Sequence, residues 1–565
     1  MVIPNLPNTA TKIPEQVNTV IVTVTVTVTV TVMNYLSRIT LAIALLLFSQ
    51  LNAHDKWEAV EYSREAAHAP TPLPDRVVLT WEGDPSTTQS VTWRTDVSVK
   101  KGIAQLAIAN SNGRALETEA FEANTSYFKS DINEAHYHTA TFTKLTPDML
   151  YAYRVGDGVN WTEYYHFKTA SDRARPFSFI YFGDAQNEVR THWSRVFREA
   201  FRDAPKAAFT LHAGDLVDNN DWDSEWGEWH QGPDWVNGTL PVIATPGNHE
   251  YRRVDAGSRS ERYWTTSDGQ TIEVDMTSFK PVSKENGTTY KIYFVGPKGN
   301  DTYLEINDGG NIISVDGGVE KITGHKRDEL LGTSFYAAPL YDKQRKPGKP
   351  AVSTHWQPQF AFPIQNVPSD NLRETVYFID YQGVRFISLD SNAETELQAP
   401  WLRKALEENP NRWTILTFHH PIFSPGSDRD NKDLRELWKP ILDEFKVDLV
   451  LSVSGHDHTY ARTGKIDTLA LTNVPEGYQQ AYDPEIGTVY VVSVSGPKMY
   501  PITKGAYAKR VAENTQLYQI IHVGDLNLRY EAYEATGDLY DTFTLRKREG
   551  LPNLLIEALP PENRR

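Results

Sequence analysis

The chain has no cysteine in its 565 residues, which excludes disulfides, thiolate metal sites and cysteine nucleophiles together. Any metal must be held by oxygen and imidazole nitrogen. An excess of positive charge is also missing. With 57 Lys+Arg against 73 Asp+Glu the net charge is −16, and such a surface offers no electrostatic reason to bind nucleic acid or anionic lipid. Nor is there a long apolar run: Ile39 to Phe48 is too short to span a bilayer. Hydrophobic residues at 40% and charged residues at 23% fit an ordinary soluble globular protein with room for two or more domains.

That short run has its own meaning. Met33 to Arg38, then Ile39 to Phe48, then Leu51-Asn52-Ala53 form the charged, apolar and small-residue sections of a secretory signal peptide. Residues 33–53 are therefore expected to be removed, leaving a secreted or periplasmic protein that begins at His54 and has no membrane span. Residues 1–32, with an unbroken Val/Thr alternation from Val22 to Val32, read as a mistranslated upstream segment. Residues 54–74 end in Ala69-Pro-Thr-Pro-Leu-Pro74, a stiff linker.

From Asp75 to about Ala170 short strand-like runs such as Val77 to Trp81 and Tyr137 to Phe142 alternate with turns at Gly83-Asp84-Pro85 and Ser111-Asn112-Gly113, the pattern of an antiparallel β-sandwich. Beyond Arg175, strands alternate with helical periodicity over Thr191 to Arg202 and Leu434 to Phe445, which argues a mixed α/β layer fold over residues 171–548. Between about 265 and 350, Asp-Gly-Gly and Asn-Gly turns suggest a β-rich insertion or lid. Gly487 to Ser493, Gln516 to Val523, Leu526 to Ala532 and Thr542 to Leu545 read as strands completing a second sheet, and residues 549–565 as a frayed tail.

The chemistry sits at strand ends. Four apolar runs end in glycine followed by a residue that can hold a metal: Gly183-Asp184, Gly214-Asp215, Gly247-Asn248 and Gly455-His456; a fifth, Trp413 to Phe418, ends in His419-His420-Pro421. In an open α/β fold the ligand crevice lies outside the carboxyl ends of the strands, so the five clusters can meet at one edge. Two aspartates, one asparagine and three histidines suffice for two adjacent cations with one aspartate bridging. Such a pair clamps a phosphoryl oxygen and lowers the pKa of a water enough to supply hydroxide near neutral pH. His456 and His458 share a face if their segment is extended. Any one cluster alone is more often a turn or a surface pair; all five together point to metal.

Phe182-Gly-Asp-Ala-Gln186, Gly214-Asp-Leu-Val-Asp218, Gly247-Asn-His-Glu250, His419-His-Pro421 and Gly455-His-Asp-His-Thr-Tyr-Ala-Arg462 resemble the ordered signature of the calcineurin-like metallophosphoesterases. With the preceding domain, similar to fibronectin type III, the chain most resembles purple acid phosphatases over about residues 75–548, apart from 265–350. The resemblance implies a four-layer α/β (α+β) metallophosphoesterase sandwich behind an all-β fibronectin type III-like sandwich. It also implies two metal ions drawn from Fe, Zn, Mn or similar: Asp184 and His458 on the first, Asn248, His419 and His456 on the second, and Asp215 bridging. His249 and His420 would contact the phosphate or protonate the leaving alkoxide. Glu250 and Arg462 are expected to back the ligands or to be structural, and His212 to be structural.

The implied reaction is hydrolysis of small phosphate monoesters. Phosphodiesterase, pyrophosphatase or nucleotidase activity on the same metal pair is the alternative, and a non-catalytic surface interaction protein the third reading. One departure stands out: the family's colour-giving tyrosine, three residues after the bridging aspartate, is Asp218 here. That carboxylate either ligates the first metal or caps a turn, and the iron–tyrosinate absorption is expected to be absent in both cases.

Overall fold

Short, β-branched and aromatic runs make two seven-stranded sheets, and their order brings the signature loops together. The computed structural model describes residues 62–558 and 560, apart from 255–260, 268–270, 285–286, 297–298, 308–310, 334–348, 427–429, 454–457, 467–470 and 472–473. The segments read as upstream sequence, signal peptide and cleavage point lie outside the described residues. Among the described residues no helix is long and apolar enough to cross a membrane.

The chain opens with an all-β domain followed by a mixed α/β domain. In the first, two four-stranded antiparallel sheets close over a core that includes Leu79, Trp93, Phe142, Tyr153 and Phe167. The second contains a sheet running in the order Val242–Ala244, Thr210–His212, Phe177–Phe182, Leu517–Val523, Asn527–Glu534, Leu539–Arg548 and Leu551–Glu557. Its first three strands are parallel and the rest antiparallel. The other sheet runs Tyr377–Tyr381, Val384–Ser388, Trp413–Phe418, Leu449–Val453, Val489–Ser493, Tyr460–Arg462 and Arg510–Ala512, with a parallel centre.

One buried cluster holds the inner faces together, Phe179, Leu211 and Ile243 against Phe386, Ile415, Leu451 and Val491. Ser194–Asp203 and Asp223–Gln231 cover the first sheet through Phe197, Trp226 and Trp229. Thr395–Glu407 and Lys432–Glu444 cover the second through Leu402, Trp438 and Leu442. The layers are thus helix, sheet, sheet, helix, as residues apolar on one stripe require.

Two expectations change. The closing strands do not complete a second sheet: Leu517–Val523 pairs antiparallel with Phe177–Phe182, Gln519 opposite Tyr181, so they widen the first sheet, and only Val489–Ser493 joins the other. Nor is 549–565 a tail throughout, because Leu551–Glu557 forms the outer strand beside Leu539–Arg548. Pro552 is tolerated there because an edge strand leaves N–H positions unpaired. In the region read as an insertion, Glu261–Thr265, Thr271–Lys284, Gly287–Gly296, Gly299–Asn307 and Ile312–Val315 build a five-stranded antiparallel sheet, joined by the helices Gly317–Thr323 and Arg327–Leu330. Strands Tyr251–Val254 and Lys349–Val352 pair at its neck.

The all-β domain is tied to its neighbour by buried charge. Arg76 donates to both carboxylate oxygens of Asp223 at 2.7 and 2.9 Å, and Arg94 adds a third contact at 3.2 Å. Tyr153 Oη donates to the Gly238 carbonyl at 2.6 Å.

Candidate metal centre

Asp184, Asp215, Asn248 and His419 each follow the carboxyl end of a parallel strand, and His458 follows Leu449–Val453. His456 lies outside the described residues. The approach is tight enough to demand glycine: a Cβ on Gly247 would stand 2.0 Å from Asp215 Oδ1, and Gly214, at φ +97°, faces Gly247 N at 2.6 Å from where its own Cβ would be. Asp184, Asp215 and His458 themselves sit at positive φ, 49°, 51° and 41°. Left-handed backbone at three non-glycine residues costs on the order of 1–3 kcal/mol each, and such strain gathers where function fixes geometry.

Glu250 supplies the frame. Its buried carboxylate accepts N–H bonds from Asp215, Leu216, Val217 and Gly247 at 2.7–3.2 Å, strapping the second signature loop to the third. Burial, with the Asp215 charge behind it, pushes this carboxyl up to about 7 while the N–H donors pull the other way. Arg462 is equally structural, fully buried and paired with both oxygens of Asp541 at 2.6 and 3.0 Å and with Glu557 at 2.8 Å. His212 packs between Phe182, Trp193 and Trp229, and burial drops its imidazole to about 3.

The first group of donors is Asp184, Asp215 and His458. His458 Nδ1 donates to the Lys498 carbonyl at 3.0 Å, which leaves Nε2 with its lone pair facing inward. Burial, helped by the Lys498 charge, lowers that imidazole to about 3, so it stays neutral. Burial and the neighbouring Asp215 hold the Asp184 carboxyl well above the usual carboxylate range. Among the described residues, Asp184 Oδ2 has no hydrogen-bond partner.

In the second group His419 Nδ1 meets the Ala213 carbonyl at 3.2 Å, while Nε2 lies 3.1 Å from Asn248 Oδ1 and 3.3 Å from Asp215 Oδ2. Burial would lower this imidazole, but Asp215 and Asp184 outweigh it and push it up to about 9. Burial likewise opposes ionisation of Asp215, yet His419 and His249 hold its carboxyl below the ordinary value.

Among the described residues no three acidic or imidazole side chains stand ready around one point; the amide of Gln186 fills the gap between the first group. The donors nevertheless fit cations: buried carboxylates drawn together against their charge, an orphaned carboxylate oxygen, and a histidine whose tautomer is fixed for ligation. Asp184, His458 and Asp215 would hold the first ion, Asn248 and His419 with Asp215 the second.

His249 and His420 part company. His249 Nδ1 bonds the Asp218 carbonyl, its Nε2 is 3.9 Å from Asp215 Oδ2, and a quarter of the side chain remains open, at 24%. His420 Nδ1 and backbone N both engage Ser391 Oγ, at 2.8 and 2.9 Å. Asp218 turns its carboxylate toward His249 Nδ1 at 3.4 Å and Asn219 Nδ2 at 3.4 Å. Sequence reasoning gave no role to Gln186 or Ser391. The signal for Ser391 was present but weaker: Val384 to Leu389, interrupted by Arg385 and Ser388, is another strand-like run, and it ends in Asp390-Ser391-Asn392 at the same edge.

Comparison with known proteins agrees with the fold. Residues 74–169 match the purple acid phosphatase N-terminal domain, and residues 177–381 and 359–460 match the calcineurin-like phosphoesterase domain. Human acid phosphatase type 7 is 26% identical over 204 residues, 33% of this chain and 42% of that protein, so the match spans under half the human protein's length. An uncharacterized protein of Mycobacterium tuberculosis is 24% identical over 487 residues, 80% of this chain and 74% of the relative. The purple acid phosphatase from yellow lupin (Lupinus luteus) seeds shares the fold, with a TM-score of 0.53 at 17% identity over 84% of this chain and 75% of that one. The chain belongs to the calcineurin-like phosphoesterase family, with a purple acid phosphatase N-terminal domain ahead of its phosphoesterase domain.

Proposed function

We propose that the protein is a secreted or periplasmic binuclear metallohydrolase that cleaves small phosphate monoesters. The observation that carries this reading is the meeting of five donors from separate strand ends, Asp184, Asp215, Asn248, His419 and His458, in one water-poor edge. A cation pair there would polarise the phosphoryl oxygens and acidify a water for in-line attack. Asp215, reached by both donor groups, would be the shared ligand. The loop strapped by Glu250 keeps Asp215 and Asn248 at fixed separation, so the donors need little rearrangement.

His249 acts on the substrate side. With Nδ1 donating to the Asp218 carbonyl, only Nε2 can face an incoming group, and the doubly protonated ring would donate from it to a phosphate oxygen or to the leaving alkoxide. His420, anchored by Ser391, would support His419 rather than touch the substrate. Asp218 in place of the phenolate removes the iron–tyrosinate chromophore.

Aryl phosphate mono- and diesters assayed at matched metal content test the reading. Monoester turnover abolished by a chelator and restored by divalent metal is expected, without a visible charge-transfer band. Negligible rates on both substrates with two ions bound would overturn it. N-terminal sequencing of the exported product should begin at His54.

A further inference from the structure

Gln186 lies two residues beyond Asp184 and is fully buried. Its Nε2 is 2.8 Å from Asp184 Oδ1, 2.7 Å from Asp215 Oδ2 and 3.4 Å from His458 Nε2. A primary amide nitrogen has two hydrogens and no acceptor capacity, yet three acceptors crowd it. Two are carboxylate oxygens and the third is an imidazole lone pair, because His458 Nδ1 is already donating to Lys498. Three such lone pairs aimed at one point describe the surroundings of a cation. Meanwhile the other end of the amide is stranded: among the described residues Gln186 Oε1 has no hydrogen-bond partner, although burial makes an unmet acceptor costly.

We propose that Gln186 is itself a ligand of the first cation. This rests on the metallohydrolase reading. Nε2 sits where a positive charge would be held; with a divalent cation in the gap, Oε1 would turn to it. That exchange removes the crowding at Nε2 and gives Oε1 a partner. The donor set becomes three oxygens and one nitrogen, Asp184, Asp215, Gln186 and His458, a combination suited to a divalent ion. It also answers the loss of the phenolate, since Asp218 turns toward His249 and Asn219 and the amide supplies a neutral oxygen in its stead.

The test is metal binding, read without turnover. Full-length apo-protein is titrated with zinc in competition with a fluorescent chelator, bound ions are counted by plasma emission, and melting is followed with and without zinc. The wild type should bind two ions. Gln186→Met, close in shape but without the oxygen, should keep one ion at wild-type affinity. It should bind the other at least about tenfold more weakly, the loss usual when a metal site is perturbed. Gln186→Asn, one carbon too short, should show the same split and serves if the Met variant does not fold. Gln186→Glu should bind both ions at least as tightly as the wild type. Two ions at unchanged affinity in the Met or Asn variant, or weakened binding in the Glu variant, would overturn the proposal. A wild type that binds no zinc would instead sink the parent reading.

Discussion

Two buried clusters of charge can be set side by side. At the domain junction, Asp223 is 2% exposed and fully answered by Arg76 and Arg94. Burial opposes its ionisation, but those guanidinium groups and His355 hold its carboxyl far below the usual range. At the strand edge, Asp184 is equally buried, one of its oxygens has no hydrogen-bond partner among the described residues, and its carboxyl is held high. The same residue type, at the same depth, is finished in one place and incomplete in the other. Completed charge pairs hold domains together; incomplete ones await a ligand.

The sharpest way to break that contrast is a pair of amide substitutions. Asp215→Asn should cut metal-dependent phosphatase turnover about 1,000-fold, the scale on which loss of a principal charge stabiliser acts; retention of most activity would remove the bridging role. Asp223→Asn should lower unfolding free energy by about 3–5 kcal/mol at pH 7, read by denaturant melts, because two buried cations lose their partner. Acid narrows this difference. Asp223 has a depressed native pKa, so its contribution is complete above its unfolded value of about 4 and disappears as pH falls below that value toward the native one. The melting gap between wild type and variant should therefore be constant from pH 7 to about 5 and shrink below about 4.

Next in size, His249→Gln should reduce kcat about 100-fold while leaving metal content unchanged, as expected for a proton donor or phosphate contact. Asp184→Asn should have the sign opposite to Asp223→Asn when both are melted metal-free: relief from the charge of Asp215 should raise stability by about 1 kcal/mol while abolishing turnover. A loss of stability there would mean Asp184 is already satisfied. The smallest effect is expected for Tyr153→Phe, about 1 kcal/mol from the single bond to Gly238.

The gathering of the candidate donors at one edge was legible because those residues follow apolar runs and the close approach of loops demands glycine, as Gly247 against Asp215 shows. The pattern of strands and helices in the mixed domain was legible for the same reason: Phe177–Phe182, Trp413–Phe418 and Lys432–Glu444 carry periodicities of two or 3.6. Partnership was not. Nothing local in Leu517–Val523 says that it lies beside Phe177–Phe182, over 300 positions earlier, since burial on both faces erases the alternation that would fix a neighbour. Leu551–Glu557 read as part of a frayed tail because an edge position is visible only once the sheet is assembled. Gln186 escaped notice because a neutral amide becomes informative only when the atoms around it are known.

The outermost strand, Leu551–Glu557, has a reach out of proportion to its place. Glu557 braces Arg462, and Arg462 closes the short strand that follows His458. Trimming the protein just ahead of Leu551, an innocuous-looking edit for anyone shortening an expression plasmid, should therefore loosen a histidine nearly a hundred positions upstream and be felt as weaker metal retention.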